Sequence, residues 1–289
     1  MNSLRCLTTW LLLLCIGSLP LVHALSPRAE KTDSASKRAY LGFDRNIFPG
    51  KAALPVLRKT FTFSGYWLSP PPGEKTNTWL GQRELLRAQG FGFLLLYRGP
   101  QTRDLKNQAA AEKGTSDARD AASAAKREGF PAPSIIFLDI EEGGRLPATY
   151  HAYLRAWASG LSEAGYHAGA YCSGIPVKEP SATITTADDI RAHAPSQDFV
   201  FYIFNDVCPP SPGCTFPQNP PSPEAGGVPD ARVWQFAQSP RRMERTVHCA
   251  PGYHTDGNCY APGDAAYAWF LDVDTAASSD PSNAAAASK

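Results

Sequence analysis

The sequence has no large excess of charge of either sign. Lys and Arg number 28 against 27 Asp and Glu, and the formal net charge is +1. If residues 1–24 are removed as a signal peptide, Arg5 is lost and 27 basic residues face 27 acidic ones. A nucleic acid is therefore not an expected partner, because binding a polyanion through bulk charge depends on a surplus of cations.

The sequence also lacks a long apolar run. Its most apolar stretch, Trp10 to Ile16, is soon followed by Pro20, whereas a membrane-spanning helix needs about 20 apolar residues. Arg5 before this stretch and Val22-His23-Ala24 after it complete the pattern of an export signal. The sequence therefore predicts a signal peptide over 1–24, a secreted or periplasmic location, and no stable membrane insertion after cleavage.

A C-x-x-C pair is absent from the cysteines. Five cysteines follow the predicted signal: Cys172, Cys208, Cys214, Cys249 and Cys259. An oxidising compartment favours disulfides, and the pairs Cys208 with Cys214 and Cys249 with Cys259 would each close a short loop. Cys172 is then left alone in an apolar segment. A zinc site that uses His248 and His254 is the alternative, which the spacing disfavours, so no metal or cofactor is expected.

Short apolar runs alternate with helical patterns between two polar ends. We expect a flexible leader over 25–38 and a disordered tail over 276–289, because both are rich in Ser and Ala. Residues 39–275 are expected to form one monomeric domain. Its eight predicted strands are 40–44, 60–68, 91–97, 134–144, 166–171, 199–204, 233–236 and 268–273. One intervening helix is predicted to begin at Thr115-Ser116-Asp117 and to end near Glu128.

This alternation predicts the α/β class, and eight strands favour a (β/α)₈ TIM-like barrel. Loops stand where the last helices would be, so we expect a distorted barrel with irregular late helices. In such barrels the functional residues gather at the carboxyl ends of the strands.

The fourth predicted strand ends abruptly in acids. Side chains alternate along a strand, so Asp139 and Glu141 would point to the same side. Like charge and partial burial would raise the pKa of one carboxyl, and this keeps a general acid protonated near neutral pH. Caps and solvated rim charges are the structural alternative. Asp44 at the end of the first strand and Asp272 in the eighth would face the same mouth.

Aromatic and amide side chains stand at other strand ends. They are Trp67, Tyr97, Tyr171, Trp234 and Gln235. Aromatic rings can stack on sugar faces, and acids or amides can bind hydroxyl groups. Packing in the barrel core is the alternative explanation for at least half of the aromatic residues.

Several of these segments resemble known families. Leu41-Gly42-Phe43-Asp44, Phe137-Leu138-Asp139-Ile140-Glu141, Val233-Trp234-Gln235-Phe236 and Leu271-Asp272-Val273-Asp274 are similar to the strand-end motifs of glycoside hydrolase family 25, the secreted muramidases. The chain resembles still more the bacterial glycoside-hydrolase-like TIM-barrel family DUF1906, through Gly42-Phe43-Asp44, Gly65-Tyr66-Trp67-Leu68, Gly90-Phe91-Gly92-Phe93 and Gly114 to Ala118.

The resemblance implies roles for the acids. Glu141 matches the general acid, Asp139 the residue that assists the neighbouring N-acetyl group or acts as nucleophile, and Asp44 and Asp272 the outer acids that bind substrate. It implies cleavage of a glycosidic bond in peptidoglycan or another polysaccharide. Glu142, next to the general acid, departs from the muramidase pattern.

Two other functions remain open from the sequence. A non-catalytic glycan-binding barrel would keep the same mouth and its aromatic residues. An acid cluster that holds a divalent cation for phosphodiester hydrolysis is weaker, because we find no histidine at a predicted strand end.

Overall fold

Eight strands close into a barrel in the order β1-β10-β9-β8-β5-β4-β3-β2. The computed structural model describes residues 38–105, 109–180, 182–194, 196, 198–205, 220–238 and 271–285. The barrel strands are β1 (Tyr40–Asp44), β2 (Phe63–Trp67), β3 (Gly92–Arg98), β4 (Ile135–Asp139), β5 (His167–Ser173), β8 (Val200–Phe204), β9 (Val233–Ala237) and β10 (Asp272–Ala276). The short strands β6 (Val177–Lys178) and β7 (Thr183–Ile184) pair separately as a hairpin that the sequence did not predict. The predicted α/β barrel is confirmed.

Helices lie outside the barrel. They are α1 (Leu54–Leu57), α2 (Arg83–Ala88), α3 (Ala109–Arg127), α4 (Ala148–Glu163) and α5 (Thr186–His193), with 3₁₀ turns at Lys51–Ala53, Thr102–Asp104 and Pro223–Gly226. Between β8 and β9, the described residues contain only the last of these turns. In the part of the chain that the structure describes, no helix has the length and apolar character needed to span a membrane.

The barrel core follows from strands that are apolar on both faces. Residues 135–138 of β4 are at most 2% exposed, as expected for a strand covered by neighbours inside and helices outside. The strand ends at Asp139, so Glu141 lies in the following loop and not in the strand as predicted. Asp139 therefore marks the point where the apolar core gives way to the barrel mouth.

The last strand runs against its neighbours. Strand β10 pairs antiparallel with both β1 and β9, whereas the other barrel pairs are parallel. Strand β10 ends at Ala276, beyond the predicted end at Val273, and residues 268–270 of the predicted strand lie outside the described residues. Asp272 stands at the amino end of β10, and the antiparallel direction brings that end beside Asp44.

Helix α3 begins at or before Ala109, so the start predicted at Thr115 is wrong. Gly114 lies inside the helix, and a Cβ there would collide with the backbone oxygen of Tyr153 in α4. Asp117, which we interpreted as part of a helix start, instead accepts a hydrogen bond of 2.9 Å from the Tyr153 hydroxyl. Small and polar residues at this place thus serve close packing of α3 against α4.

The segment after β10 lies against the amino ends of β3 and β4. The side chain of Asp280 accepts from the backbone N–H of Phe93 at 2.9 Å, and the Ser282 hydroxyl accepts from that of Leu95 at 2.8 Å. The Ser282 carbonyl also accepts from the N–H of Ile135 at 2.9 Å. Residues 276–285 therefore belong to the barrel, and the predicted boundary of the tail at 276 is too early.

We expect Ser282→Ala to lower the free energy of unfolding by about 1–3 kcal/mol, because the buried N–H of Leu95 loses its acceptor. Urea unfolding followed by circular dichroism measures the change. Ser279→Ala, at an exposed position of the same segment, is the matched control and should remain within about 0.5 kcal/mol of wild type. Equal stability of the two variants would contradict this role for Ser282.

Candidate active site

One cavity at the barrel mouth brings together the four acids expected there. Asp44, Asp139, Glu141 and Asp272 all line this cavity, which has a volume of about 520 Å³. Asp44 and Asp139 end β1 and β4, Glu141 lies just beyond β4, and Asp272 opens β10. Their catalytic and binding roles remain predictions.

The aromatic and amide residues divide between the cavity and the outer packing. Trp67, Tyr171 and Gln235 line the cavity. Tyr97 instead packs against Trp157 of α4, with ring centroids 5.3 Å apart, and its neighbour Leu96 lines the cavity. The predicted site position of Tyr97 is therefore wrong, because β3 is a continuous apolar run up to Leu96 and gives no alternation to read.

Trp234 is also misplaced by the prediction. It alternates with Gln235 along β9, and its indole N–H donates to the carbonyl of Asn205 at 3.0 Å. Its ring packs against Phe236, with centroids 5.7 Å apart. Trp234 thus supports the outer side of β9 while Gln235 faces the cavity.

The floor of the cavity is a hydrogen-bonded network around Asp44. The hydroxyl of Tyr202 and Nε2 of Gln235 each lie 2.8 Å from Asp44 Oδ2. Oε1 of Gln235 accepts from the hydroxyl of Tyr171 at 2.8 Å and from Nε2 of Gln238 at 2.6 Å. Two neutral side chains, Tyr202 of β8 and Gln235 of β9, therefore bind the Asp44 carboxylate directly. Tyr171 of β5 and Gln238, just after β9, hold Gln235 in turn.

The position of Asp44 also depends on Gly65 in β2. A Cβ at Gly65 would lie 2.5 Å from the Cβ of Asp44, which is closer than carbon atoms pack. A glycine here leaves the space that the acid occupies. This gives a physical reason for one glycine of the segment Gly65-Tyr66-Trp67-Leu68.

Sequence reasoning missed several cavity residues. Tyr202 is the one residue of β8 whose side chain carries a hydrogen-bonding group, and that was a usable signal for an inward-facing position. The others come from loops or strand ends that a pattern does not place in space. They are Arg45, Asn46, Ile47, Pro72, Glu74, Leu96, Phe204 and Gln238.

Asp139 has the environment of a carboxyl that keeps its proton. It is 7% exposed, and burial raises the pKa of Asp139 well above its ordinary value. The carboxylates of Glu141 and Asp44 raise the pKa of Asp139 further, and the guanidinium of Arg98 opposes them. Glu141, by contrast, is exposed and lies 3.3 Å from Nε2 of Gln101 through its Oε2 atom.

A second cavity adjoins the first at the same two acids. It has a volume of about 270 Å³, and its lining includes Arg98, Gln101 and Glu142 as well as Asp139 and Glu141. Oε1 of Glu142 accepts from the backbone N–H of Thr102 at 2.6 Å. Asp139 and Glu141 therefore stand between two spaces, and a chain-like ligand that filled both would pass the pair.

Another polar cluster lies in the helical layer. Oδ2 of Asp189 lies 2.7 Å from Nε2 of His151, and Oδ1 lies 3.1 Å from Nδ1 of His193. The two imidazole rings stack with centroids 3.8 Å apart and planes within 5°. The nearer partner of His193 Nδ1 is the backbone carbonyl of Asp189, at 2.9 Å. Lone pairs in parallel planes do not converge on one point, so the arrangement fits separate hydrogen bonds from the two rings to Asp189 better than metal coordination.

The predicted disulfides, the rival zinc site and the signal peptide lie outside the described residues. Cys208, Cys214, Cys249 and Cys259, together with His248 and His254, fall in undescribed parts of the chain, as do residues 1–37. Cys172 in β5 is free and buried. Burial raises the pKa of the Cys172 thiol to about 12, so it stays protonated near neutral pH.

Residues 64–206 match the model of a family described as the Rv2525c-like, glycoside hydrolase-like domain. The matched residues make up just under half of the chain. The match includes the segments 65–68, 90–93 and 114–118, and it confirms the resemblance to glycoside-hydrolase-like barrels. No curated protein matches the chain.

Three solved structures are similar to this chain, and the first of them shares its fold. An uncharacterized B. stearothermophilus protein is 20% identical, with a TM-score of 0.51, over 82% of this chain and 95% of its own. The Tat-secreted protein Rv2525c of Mycobacterium tuberculosis, in complex with L-tartrate, is 15% identical, with a TM-score of 0.49, over 83% and 95%. The catalytic domain of the endolysin ply40, from bacteriophage P40 of Listeria monocytogenes, is 16% identical, with a TM-score of 0.44, over 84% and 95%.

We expect Asp139→Asn to be more stable than wild type near pH 7. An unfolded Asp ionises near pH 4, whereas burial keeps the folded Asp139 protonated to higher pH, so the wild type loses stability as the pH rises from about 4 toward the raised pKa. Asn does not ionise and escapes this loss. Urea unfolding at several pH values from about 4 to 7 should show a difference that grows with pH.

Asp120→Asn, on the exposed side of α3, is the control for the loss of one acid from the surface. If Asp139→Asn were instead less stable than wild type by an amount that increased toward pH 7, Asp139 would be stabilised as a carboxylate and our interpretation of its burial would be wrong.

Proposed function

We propose that this Rv2525c-like domain hydrolyses a glycosidic bond in peptidoglycan or another polysaccharide. The observation that carries the proposal is the position of Asp139 and Glu141, which line both mouth cavities. A glycan chain with sugars in each cavity would place one glycosidic linkage beside this pair. The description of the family as glycoside hydrolase-like supports the same reaction.

The larger cavity has the features that sugar binding needs. Its volume of about 520 Å³ lies within the usual range for small-ligand sites, roughly 300–1,000 Å³. Trp67 and Tyr171 offer ring surface, and Asp44, Asp272 and Gln235 offer polar groups for hydroxyls. A neutral or weakly charged glycan fits this lining better than a polyanion, because acids dominate the charged groups.

Glu141 is the proposed proton donor to the leaving oxygen. Its carboxyl is exposed at the junction of the cavities, where a substrate would reach it, whereas Asp139 is buried behind it. Burial and the carboxylate of Glu141 raise the pKa of the neighbouring Asp139, and Asp139 is proposed to assist the reacting sugar.

Glu141→Gln should lower the rate of reducing-sugar release from peptidoglycan and a polysaccharide panel by about 10²- to 10⁴-fold, the usual contribution of a general acid. Glu142→Gln is the matched control, because Glu142 lines only the second cavity and bonds to a backbone N–H. Its rate should fall much less. Equal rates for wild type and Glu141→Gln would remove Glu141 from the mechanism.

A non-catalytic glycan-binding barrel is the competing function, and the same proteins distinguish it. If wild type and Asp139→Asn both sediment with insoluble peptidoglycan but neither releases product from any glycan of the panel, binding without turnover is the function. Product from the wild type with loss in Asp139→Asn would support hydrolysis.

We further propose that the protein acts outside the cytoplasm as a monomer, after removal of residues 1–24. The basic residue, apolar core and small-residue site near Ala24 support export. Mass spectrometry of the protein secreted by a bacterial host should give a chain that begins at Leu25. A secreted chain that still carried residues 1–24 would contradict the predicted cleavage.

A further inference from the structure

A single hydroxyl lies between two buried carboxyls beneath the cavity. The Tyr202 hydroxyl is 2.8 Å from Oδ2 of Asp44 and 2.9 Å from Oδ1 of Asp274. Asp274 is completely buried in β10 and does not line the cavity, whereas Asp44 does. The register of the closing strands pairs Asp274 with Gly42, two residues before Asp44, so the side chain of Asp274 enters the barrel below that of Asp44.

The number of hydrogen atoms available for these two contacts limits how many of the two carboxyls can be ionised. A tyrosine hydroxyl has one hydrogen and can donate it to one acceptor only. If both carboxyls were ionised, one carboxylate oxygen would lie 2.9 Å or less from the hydroxyl oxygen with no hydrogen between them. A second proton must therefore lie on Asp44 or on Asp274.

The other contacts place that proton on Asp274. Oδ2 of Asp44 receives a second hydrogen bond from Nε2 of Gln235 at 2.8 Å, and two donors stabilise an ionised carboxylate. Oδ2 of Asp274, by contrast, is buried and has no hydrogen-bond partner among the residues that the structure describes. An unpaired carbonyl oxygen of a neutral acid costs much less to bury than an unpaired carboxylate oxygen.

We infer that Asp274 is a neutral positioning residue, which donates its proton to the Tyr202 oxygen so that the Tyr202 hydrogen points to the Asp44 carboxylate. The chain of donors runs from Asp274 through Tyr202 to Asp44. It gives the cavity floor one negative charge where the sequence would suggest two.

The charged and titratable groups around Asp274 agree with this assignment. Burial, and then the carboxyl of Asp44, raise the pKa of Asp274 well above its ordinary value. Asp272 on the same strand acts in the same direction. Burial lowers the pKa of Arg45 and the carboxylate of Asp272 opposes this, so Arg45 is a cation that acts on Asp272.

Tyr171 and Asp139 are two further titratable groups near Asp44. Burial is the main cause that raises the pKa of Tyr171 on β5 and of Asp139 on β4, and the carboxyl of Asp44 raises both further. With Asp274 neutral, the charge of the floor resides on Asp44 alone. The inference rests on the contacts of β1, β8, β9 and β10 and does not depend on glycoside hydrolysis.

Carboxyl-carbon NMR of protein labelled with ¹³C at the aspartate carboxyls tests the proposal without a substrate. The Asp274 signal is assigned through its backbone and confirmed by its loss in Asp274→Asn. We expect it at the position of a neutral carboxyl at pH 7, with ionisation only at higher pH. A signal at the ionised position at pH 7 would overturn the proposal.

The reciprocal variant tests the link through Tyr202. In Asp44→Asn the carboxylate that opposes ionisation of Asp274 is gone, so the titration midpoint of the Asp274 signal should fall. An unchanged midpoint would show that Asp274 is not coupled to Asp44 and would overturn the role in positioning. Because both readouts are spectroscopic, a failed activity assay would count against the proposed hydrolysis but not against this inference.

Discussion

The insertion of β10 between β1 and β9 is the constraint on which the site depends. This strand runs opposite to both neighbours, and its pairing closes the ring. The antiparallel register aligns Asp272 with Asp44 and Asp274 with Gly42. Residues two apart on a strand point the same way, so both acids of β10 face inward beside Asp44, one at the mouth and one below it.

Burial of these acids is balanced by neutral hydrogen-bonding groups. Burial raises the pKa of Asp44, and the hydrogen bonds from Tyr202 and Gln235 lower it. Hydroxyl and amide groups can stabilise a carboxylate without neutralising it, which leaves the charge available to a ligand in the cavity. The same low-dielectric surroundings act on Asp139, which has fewer compensating contacts and retains its proton to higher pH.

The strands were predictable where an apolar run was bounded by proline or by charged residues. Strand β1 has the predicted bounds, and β4 was recognised from its apolar run between Pro133 and the acids. That the acids share one mouth was predicted only from the general rule that functional residues of such barrels lie at the carboxyl ends of the strands. The direction of β10 could not be predicted, because alternation along a strand is the same in either direction; Asp272 reached the mouth for a different reason from the one expected.

The prediction of side-chain direction failed where both faces of a strand are apolar. At the end of β3, Leu96 and Tyr97 are both compatible with either side, and packing against Trp157 decides the matter. The helix start at Thr115 was wrong because a Gly followed by polar residues suits a helix start and a close helix contact equally well. Loop contributions to the cavity, such as Arg45 and Glu74, depend on tertiary placement that local patterns do not contain.

The segment after β10 joins the amino ends of β3 and β4, and its bond from Asp280 to the N–H of Phe93 spans 187 positions. Until that part of the polypeptide has been synthesised, β1 and β9 remain open sheet edges, and the amino ends of β3 and β4 lack these acceptors. Open edges can pair with other chains, so the emerging polypeptide passes through a vulnerable stage. The ring of strands can therefore close, and Asp272 and Asp274 can join Asp44, only once β10 is present.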